Sequence, residues 1–178
     1  MDDGAGVAIV STAAALVQEM ARAANRPLRR SIRVALFANE ENGFDGALGY
    51  SRRYGQQRHQ LVSESDFGGG QLYALRSRVA PEAQPAMAAM AAVLAPLGVP
   101  LAGNNGSPGP DGALLMRRHR WAAVELSQDG SAYFDVHHTA HDSFARMDTR
   151  HLAQNVAGWA VVAFLAAQAP MAFAFPPA

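Results

Sequence analysis

The chain lacks cysteine, a surplus of either charge and any long apolar run. Without cysteine among its 178 residues, it cannot form disulfide bonds or thiolate metal sites. Its 15 Lys and Arg balance its 15 Asp and Glu, so the composition does not favour nucleic acid or anionic membrane as a partner. The longest apolar run, residues 157–167, falls short of the roughly 20 residues that span a bilayer. Carboxylates and six histidines remain as possible metal ligands.

The apolar spacing predicts one domain of the α/β class. Apolar residues repeat at steps of three and four over four segments, which predicts helices at 7–21, 47–54, 81–98 and 149–167. Short apolar runs rich in β-branched residues predict strands at 31–38, 60–66 and 121–127. Residues 98–112 are rich in Gly, Pro and Asn, which predicts a long loop. Alternation of helices and strands favours a mostly parallel central sheet with helices on both faces.

Acidic residues and a histidine stand next to the ends of these predicted elements. Glu40 and Glu41 follow the first strand, and Asp66 ends the second. His138 lies in the loop after the third strand, and Asp2 directly precedes the first helix. Ligands of open α/β sheets bind beyond the carboxyl ends of the strands, so we expect these side chains to lie close together.

Residues of these types can build a catalytic zinc site. Zinc binds His nitrogen and carboxylate oxygen and keeps one position open for water, and a second, unligated carboxylate can take the water's proton. Each residue also has a purely structural interpretation. Asp2 and Asp3 can cap the first helix, Asp66 can be a turn residue, and His137 and His138 can be a hydrogen-bonded pair. The residue types alone leave both interpretations open.

Four motifs in order carry a family resemblance over nearly the whole chain. They are "MDDGAGVA", "ALFANEENGFDGA", "SESDFGGG" and "YFDVHHTAHDS". Together they resemble the co-catalytic zinc aminopeptidases and carboxypeptidases, the family of leucyl aminopeptidase and glutamate carboxypeptidase II. The "ESD" shortly before a glycine run and the "YFD" shortly before His-His-Thr-Ala are most similar to its carboxypeptidase Q branch. The resemblance implies an α/β zinc-exopeptidase fold of the phosphorylase/hydrolase-like type.

The resemblance also implies a role for each residue at these motifs. Asp2 would bridge two zinc ions, Glu41 and His138 would complete one ion, Asp66 would bind the other, and Glu40 would be the general base. The implied activity is hydrolysis of terminal peptide bonds of small peptides or dipeptides by metal-activated water. Relatives of this branch are often exported, so the resemblance also implies a periplasmic or extracellular location.

The chain departs from the family pattern at two places. Family members carry a His-x-Asp motif upstream of the bridging aspartate, whereas only Met1 precedes Asp2 here. We therefore expect a single, N-terminally truncated catalytic domain, residues 1–178, without the N-terminal strands of the sheet. Asp66 and Asp2 alone make a poor second site, which favours one zinc, and a bare sheet edge favours homo-oligomers. The second departure is His141, which replaces an acidic residue and can alter the orientation of His138.

Two other functions remain open on the sequence alone. The three ligands that remain for one ion also resemble those of the mono-zinc glutaminyl cyclases. A second alternative is an inactive fragment or homologue that binds metal weakly or not at all. The resemblance implies that the loop of Asp111 lines the substrate pocket, where Asp111 would at most support the residues that contact the metal. Three histidines are assigned to the surface: His59, His119 and His151.

Overall fold

A computed structural model describes residues 1–177 and confirms an α/β fold. The helices are α1 (Gly4–Ala23), α2 (Asp45–Tyr54), α3 (Gln84–Leu94), α4 (Pro110–His119) and α5 (Thr149–Gln168). The strands are β1 (Leu72–Arg78), β2 (Leu101–Gly103) and β3 (Ala123–Gln128). Short 3₁₀ turns at Pro81–Ala83 and Ala95–Leu97 flank α3, and a third at Phe144–Arg146 precedes α5.

The sheet is mixed, with β1 in the middle and the order β2-β1-β3. Strand β1 runs parallel to β2 and antiparallel to β3, so that Leu75 lies opposite both Leu101 and Leu126. Beyond β3, Val62 forms an isolated parallel bridge with Ala123. The predicted parallel arrangement therefore holds for β1 with β2 and for this bridge, while β1 and β3 form an antiparallel pair.

The main core lies between the sheet and the helices α1, α3 and α5. Helices α1 and α5 pack along each other, and α3 packs against α5. The most buried side chains of this core are Ile9, Val17, Leu75, Met87 and Val162. A second, smaller cluster joins α2 and α4 through Ala47, Leu115 and Trp121. The apolar stripes predicted for α3 and α5 face this core, whereas in α1 the predicted Val7 is 42% exposed and the buried face carries Ile9 and Ala13 beside Val17.

Helix α1 combines a buried face with an apolar composition. By length and hydropathy it could cross a membrane. Its most apolar stretch of 18 residues has a mean hydropathy of 1.4, and 28% of that stretch is buried in this structure. Its side chains Ile9, Ala13 and Val17 are fully or almost fully enclosed by the main core. A helix that contributes to a core passes the same composition test, so this feature is weak evidence for a membrane span.

The first predicted strand, residues 31–38, is not a strand among the residues that the structure describes. The segment has no regular secondary structure and forms no ladder, and Leu36 is 60% exposed. Residues 30–37 and 57–66 line the same cavity of about 1440 Å³, to which α1 and α5 also contribute. Apolar composition alone does not make a strand, because pairing requires a neighbour with free backbone groups within reach.

Two further predictions need correction. Residues 60–66 form only the single bridge at Val62 rather than a strand. The predicted loop at 98–112 contains β2 and the first turn of α4, so only residues 98–100 and 104–109 are irregular. The Pro110 that suggested a loop starts α4 instead, because proline is favoured in the first turn of a helix.

Leu75 offers a test of the core. It is fully buried in the central strand and hydrogen-bonded through its N–H to Pro100. We expect Leu75→Ala to reduce the free energy of unfolding by about 2–5 kcal/mol, because it removes buried contacts and leaves a cavity. Urea unfolding followed by circular dichroism measures this change. The matched control Leu36→Ala, at an exposed position, should stay within about 0.5 kcal/mol of wild type, and equal effects of the two variants would contradict the assignment.

Candidate metal centre

Side chains from three separate parts of the chain meet at one place. His138 Nε2 lies 2.6 Å from Glu41 Oε1 and 3.2 Å from Asp2 Oδ2. His137 Nε2 lies 3.3 Å from the same oxygen of Asp2. One ligand atom from each of these four residues lies within 4.8 Å of the other three. Two carboxylates and two imidazoles at such spacing make a donor set that suits a divalent transition metal such as zinc.

The start of helix α1 positions Asp2. The helix is capped by Asp3, whose side chain accepts a hydrogen bond from the Gly6 N–H at 2.9 Å. Asp2 is therefore free of the capping role, and its N–H donates to Asp142 at 2.8 Å. The Tyr133 hydroxyl donates to Asp2 Oδ1 at 2.9 Å, which leaves Oδ2 facing the two histidines.

A tight turn before helix α2 presents Glu40 and Glu41. Asn39 has a left-handed backbone (φ 63°), and the N–H groups of Gly43 and Phe44 both donate to the Glu40 carbonyl. The Gly46 N–H bonds the Ala38 carbonyl at 2.9 Å, and a Cβ at Gly46 would meet the Ala38 nitrogen at 2.6 Å. Glycine is therefore required where α2 closes onto this turn.

The loop between β3 and α5 carries the two histidines. The His137 N–H donates to the Tyr133 carbonyl at 2.9 Å, and the Thr139 hydroxyl donates to the Val136 carbonyl at 2.7 Å. His138 has a left-handed backbone (φ 58°), which is uncommon for a residue other than glycine and is typical of functional turns. The imidazoles of His137 and His138 stack with centroids 3.7 Å apart.

The site carries an excess of negative charge. Burial raises the pKa of Glu40, and the carboxylates of Asp66, Glu41 and Asp2 raise it further. Burial also raises the pKa of Asp66, as do Asp2 and Glu41, while His137 lowers it. Among residues 1–177, no Lys or Arg forms an ion pair with these carboxylates. Such a cluster is suited to binding a cation.

Three of the four predicted metal ligands meet in the structure. Asp2, Glu41 and His138 belong to the group of close ligand atoms, whereas Asp66 is not in that group and interacts with it electrostatically. Glu40, the predicted base, lies beside them within the influence of Asp2 and His138. His137, which the sequence did not single out as a ligand, joins the group. His141 is exposed, and its N–H bonds Thr139, so it stays outside.

His59 and His119, assigned to the surface from the sequence, are held by contacts that the sequence did not predict. Both are partly buried, and their rings stack on Trp121 with centroid distances of 3.7 and 4.6 Å. His59 also bonds the Tyr50 hydroxyl, and His119 bonds Ser51. Their polar sequence context gave no sign that an aromatic side chain covers them. His151 is likewise partly buried, at the start of α5.

Asp111 lines the cavity together with Glu40 and Asp66, as expected for a residue near the site. It is only 3% exposed, and its Oδ1 has no hydrogen-bond partner among the described residues. Burial, and then the charges of Glu40 and Asp66, raise the pKa of Asp111 to about 6. Nearby, burial raises the pKa of Glu64 to about 8, although the Gly112 N–H donates to its carboxylate.

The raised pKa of Asp111 predicts a pH-dependent stability. Because the folded state holds this proton more tightly than the unfolded chain, the contribution of Asp111 to stability falls as pH rises from its ordinary 3.8 towards about 6. We expect Asp111→Asn to stabilise the protein by on the order of 1–2 kcal/mol at pH 7.5 and to be neutral at pH 3.5. Thermal unfolding at both pH values measures this. The exposed Asp135→Asn should change neither, and equal effects of Asp111→Asn at the two pH values would refute the assignment.

Comparisons with known proteins agree on one family. The family model described as Peptidase family M28 matches residues 1–163. Among curated proteins, carboxypeptidase Q of Mus musculus is 31% identical over 169 residues, and carboxypeptidase Q of Homo sapiens is 30% identical over 169 residues. The crystal structure of a Peptidase M28 precursor from Shewanella amazonensis SB2B is 38% identical, with a TM-score of 0.92.

The matches cover nearly all of this chain but only part of each similar protein. They take in 94% of this chain and 35% and 34% of the mouse and human proteins, so the chain spans about a third of the length of these curated relatives. The Shewanella structure covers 100% of this chain, which corresponds to 40% of that protein. The fold, the four motifs and the family match over residues 1–163 agree, and the chain belongs to Peptidase family M28.

Proposed function

We propose that this chain carries the catalytic machinery of a divalent-metal exopeptidase that hydrolyses the terminal peptide bond of small peptides. The observation that carries the proposal is the convergence of Asp2, Glu41 and His138, which are far apart in the sequence, on one cluster of ligand atoms. Membership of Peptidase family M28 and the similarity to proteins named carboxypeptidase Q support it. The activity of the relatives belongs to much longer proteins, so it applies to this chain as a proposal.

The donor set fits zinc. Asp2, Glu41 and His138 supply two oxygens and one nitrogen, the kind of three-ligand set that leaves a position for water. The bound ion would polarise the scissile carbonyl and lower the pKa of water. The Tyr133 hydroxyl donates to Asp2 Oδ1 and so holds the carboxylate. The backbone N–H of Asp2 donates to Asp142 and so holds the main chain. These contacts fix the direction of Asp2 Oδ2 towards His138.

Glu40 is the proposed general base. It is adjacent to Glu41 in the same turn and does not belong to the group of close ligand atoms. The charges of Asp66, Glu41 and Asp2 raise its pKa and that of His138 lowers it, which supports a position near the proposed ligands. A carboxylate in this position can take a proton from the attacking water and transfer it to the leaving amine. The surrounding acids favour its protonated form and so help it to hold that proton between the two steps.

The first test measures metal and activity together. Purified protein is expected to contain zinc and to cleave dipeptides, to lose cleavage after dialysis against a chelator, and to regain it when zinc is added. Cleavage that persists in metal-free protein would contradict the proposal. Cyclisation of N-terminal glutamine, assayed in parallel, separates the peptidase from a glutaminyl-cyclase-like enzyme. Bound zinc without either reaction would indicate a metal-binding module.

A further inference from the structure

We infer that the C-terminal ends of helices α2 and α4 form a docking surface for a bilayer that contains anionic lipid. Both helices begin near the candidate metal centre, α2 after Glu41 and α4 beside Asp111, so their C-terminal ends lie away from it. The inference therefore goes beyond the proposed function. We call the following seven exposed residues, out of 15 Lys and Arg in the chain, the arginine surface: Arg33, Arg52, Arg53, Arg58, Arg117, Arg118 and Arg120.

One hydrogen bond joins the ends of the two helices. Ser51 Oγ on α2 and His119 Nε2 on α4 lie 2.8 Å apart. The helices also share the small buried cluster of Ala47 and Leu115, which fixes them against each other. Two arginines directly follow Ser51 and three flank His119, so five lie within two residues of this bond: Arg52, Arg53, Arg117, Arg118 and Arg120.

Tyr54, at the end of α2, brings a distant arginine to the same surface. The guanidinium of Arg33 lies over the Tyr54 ring at 4.1 Å from its centroid, and that of Arg53 lies 5.3 Å from the same centroid. Arg33 also donates to the Gln57 side chain at 3.1 Å, and Gln57 directly precedes Arg58. Two arginines outside the helices thus add to the charge at the end of α2.

No carboxylate balances this charge. Residues 46–63 and 112–124 contain no Asp or Glu, and none of the seven arginines forms an ion pair within residues 1–177. Helix dipoles favour arginine in the last turns of α2 and α4, but they do not account for Arg33 or Arg58. The balanced composition of the chain therefore hides a separation of charge, with carboxylates at the candidate metal centre and arginines at the far ends of the helices.

The residues of this surface favour a lipid bilayer as its partner. Clusters of about four to eight Arg or Lys attract anionic headgroups, and the attraction requires neither a groove nor a matching sequence. Proteins that lie on a bilayer also present apolar side chains beside their basic ones. Val34 and Leu36, which follow Arg33 in the unpaired segment 31–38, are 39% and 60% exposed. The phosphates of a nucleic acid would not cover these two side chains.

The experiment measures binding of the full chain to vesicles by sedimentation. One set contains phosphatidylglycerol and phosphatidylcholine, and the other contains phosphatidylcholine alone. We expect wild type to bind only the anionic vesicles, with an affinity that falls as salt is added. Each arginine near an anionic surface contributes about fivefold, so Arg52→Gln with Arg53→Gln should weaken binding by about 25-fold. Arg117→Gln with Arg118→Gln should have the same effect.

Two controls distinguish this surface from net charge and from a specific anion site. Arg146→Gln with Arg150→Gln removes the same two charges from exposed positions near the start of α5 and should bind as wild type does. Arg52→Lys with Arg53→Lys should also bind as wild type does, because a bilayer requires positive charge and not the planar fork of a guanidinium. A loss of binding in the lysine variant would indicate a specific phosphate or carboxylate site and would contradict a lipid surface.

Three other results would overturn the inference. They are equal binding to both kinds of vesicle, no binding to either, and undiminished binding by the Arg52→Gln, Arg53→Gln variant. Binding of polyglutamate or duplex DNA under conditions in which vesicles stay unbound would assign the surface to another partner. Circular dichroism shows whether each variant folds. Because the substitutions leave the candidate metal centre intact, failure of vesicle binding would not affect the proposed function.

Discussion

Replacing Glu40 by Gln is expected to reduce turnover of dipeptides by about 10²- to 10⁴-fold, the usual contribution of a general base. Glutamine has nearly the same size and keeps a hydrogen-bonding oxygen, but it cannot take a proton from water. Glu40 is not in the group of close ligand atoms, so the variant should retain the metal of the wild type. Steady-state kinetics with metal analysis of the same preparation measures both effects.

The matched control for this variant is Glu19→Gln. Glu19 is an exposed glutamate on helix α1, and the same change there should leave turnover and metal content unchanged. If Glu40→Gln turned over dipeptides at the wild-type rate, Glu40 would have no part in proton transfer. If it lost its metal, Glu40 would be a ligand rather than a base.

The fold was predictable where local pattern and tertiary packing agree. Helices α3 and α5 follow the apolar stripes of the sequence, because the core buries those same stripes, whereas α1 buries Ile9 and Ala13 and leaves the predicted Val7 exposed. Strand β1 was missed, although it is the middle strand. It carries Arg76, Ser77 and Arg78 in succession, and Ser77 is fully buried because its hydroxyl bonds Asn104, which no local pattern reveals. Residues 31–38 show the reverse case, in which a strand-like pattern has no pairing partner among the described residues.

The candidate site was predictable in part for a similar reason. The four ordered motifs predict that Asp2, Glu41 and His138 lie close together, and in the structure His138 contacts both carboxylates. The proximity of His137 was not predictable from spacing, because adjacent residues of an extended chain point in opposite directions. Here the left-handed backbone of His138 turns the chain so that both imidazoles stack and face the same carboxylate oxygen.

Replacing Asp2 by Asn is expected to have the largest effect on metal binding. Asp2 Oδ2 is the atom that both histidines approach, so it would contribute directly to the bound ion. Asparagine has the same shape and can still accept the Tyr133 hydrogen bond through its oxygen. It lacks the negative charge, however, and its NH₂ group cannot donate electrons to a metal. We expect zinc affinity to fall by more than about 100-fold, because the proposal makes Asp2 a direct ligand and residues that only orient a ligand are already worth 10- to 100-fold.

Peptidase activity of Asp2→Asn at limiting zinc should fall in parallel, and an excess of zinc should recover only part of it. The melting temperature of the metal-free variant should match that of metal-free wild type, because Asp3 rather than Asp2 caps helix α1. The exposed Asp135→Asn is the matched control and should bind zinc as wild type does. Wild-type zinc affinity in Asp2→Asn would mean that the ion does not bind at Asp2, and the clustering of Glu41 and His138 around this carboxylate would then need a purely structural explanation.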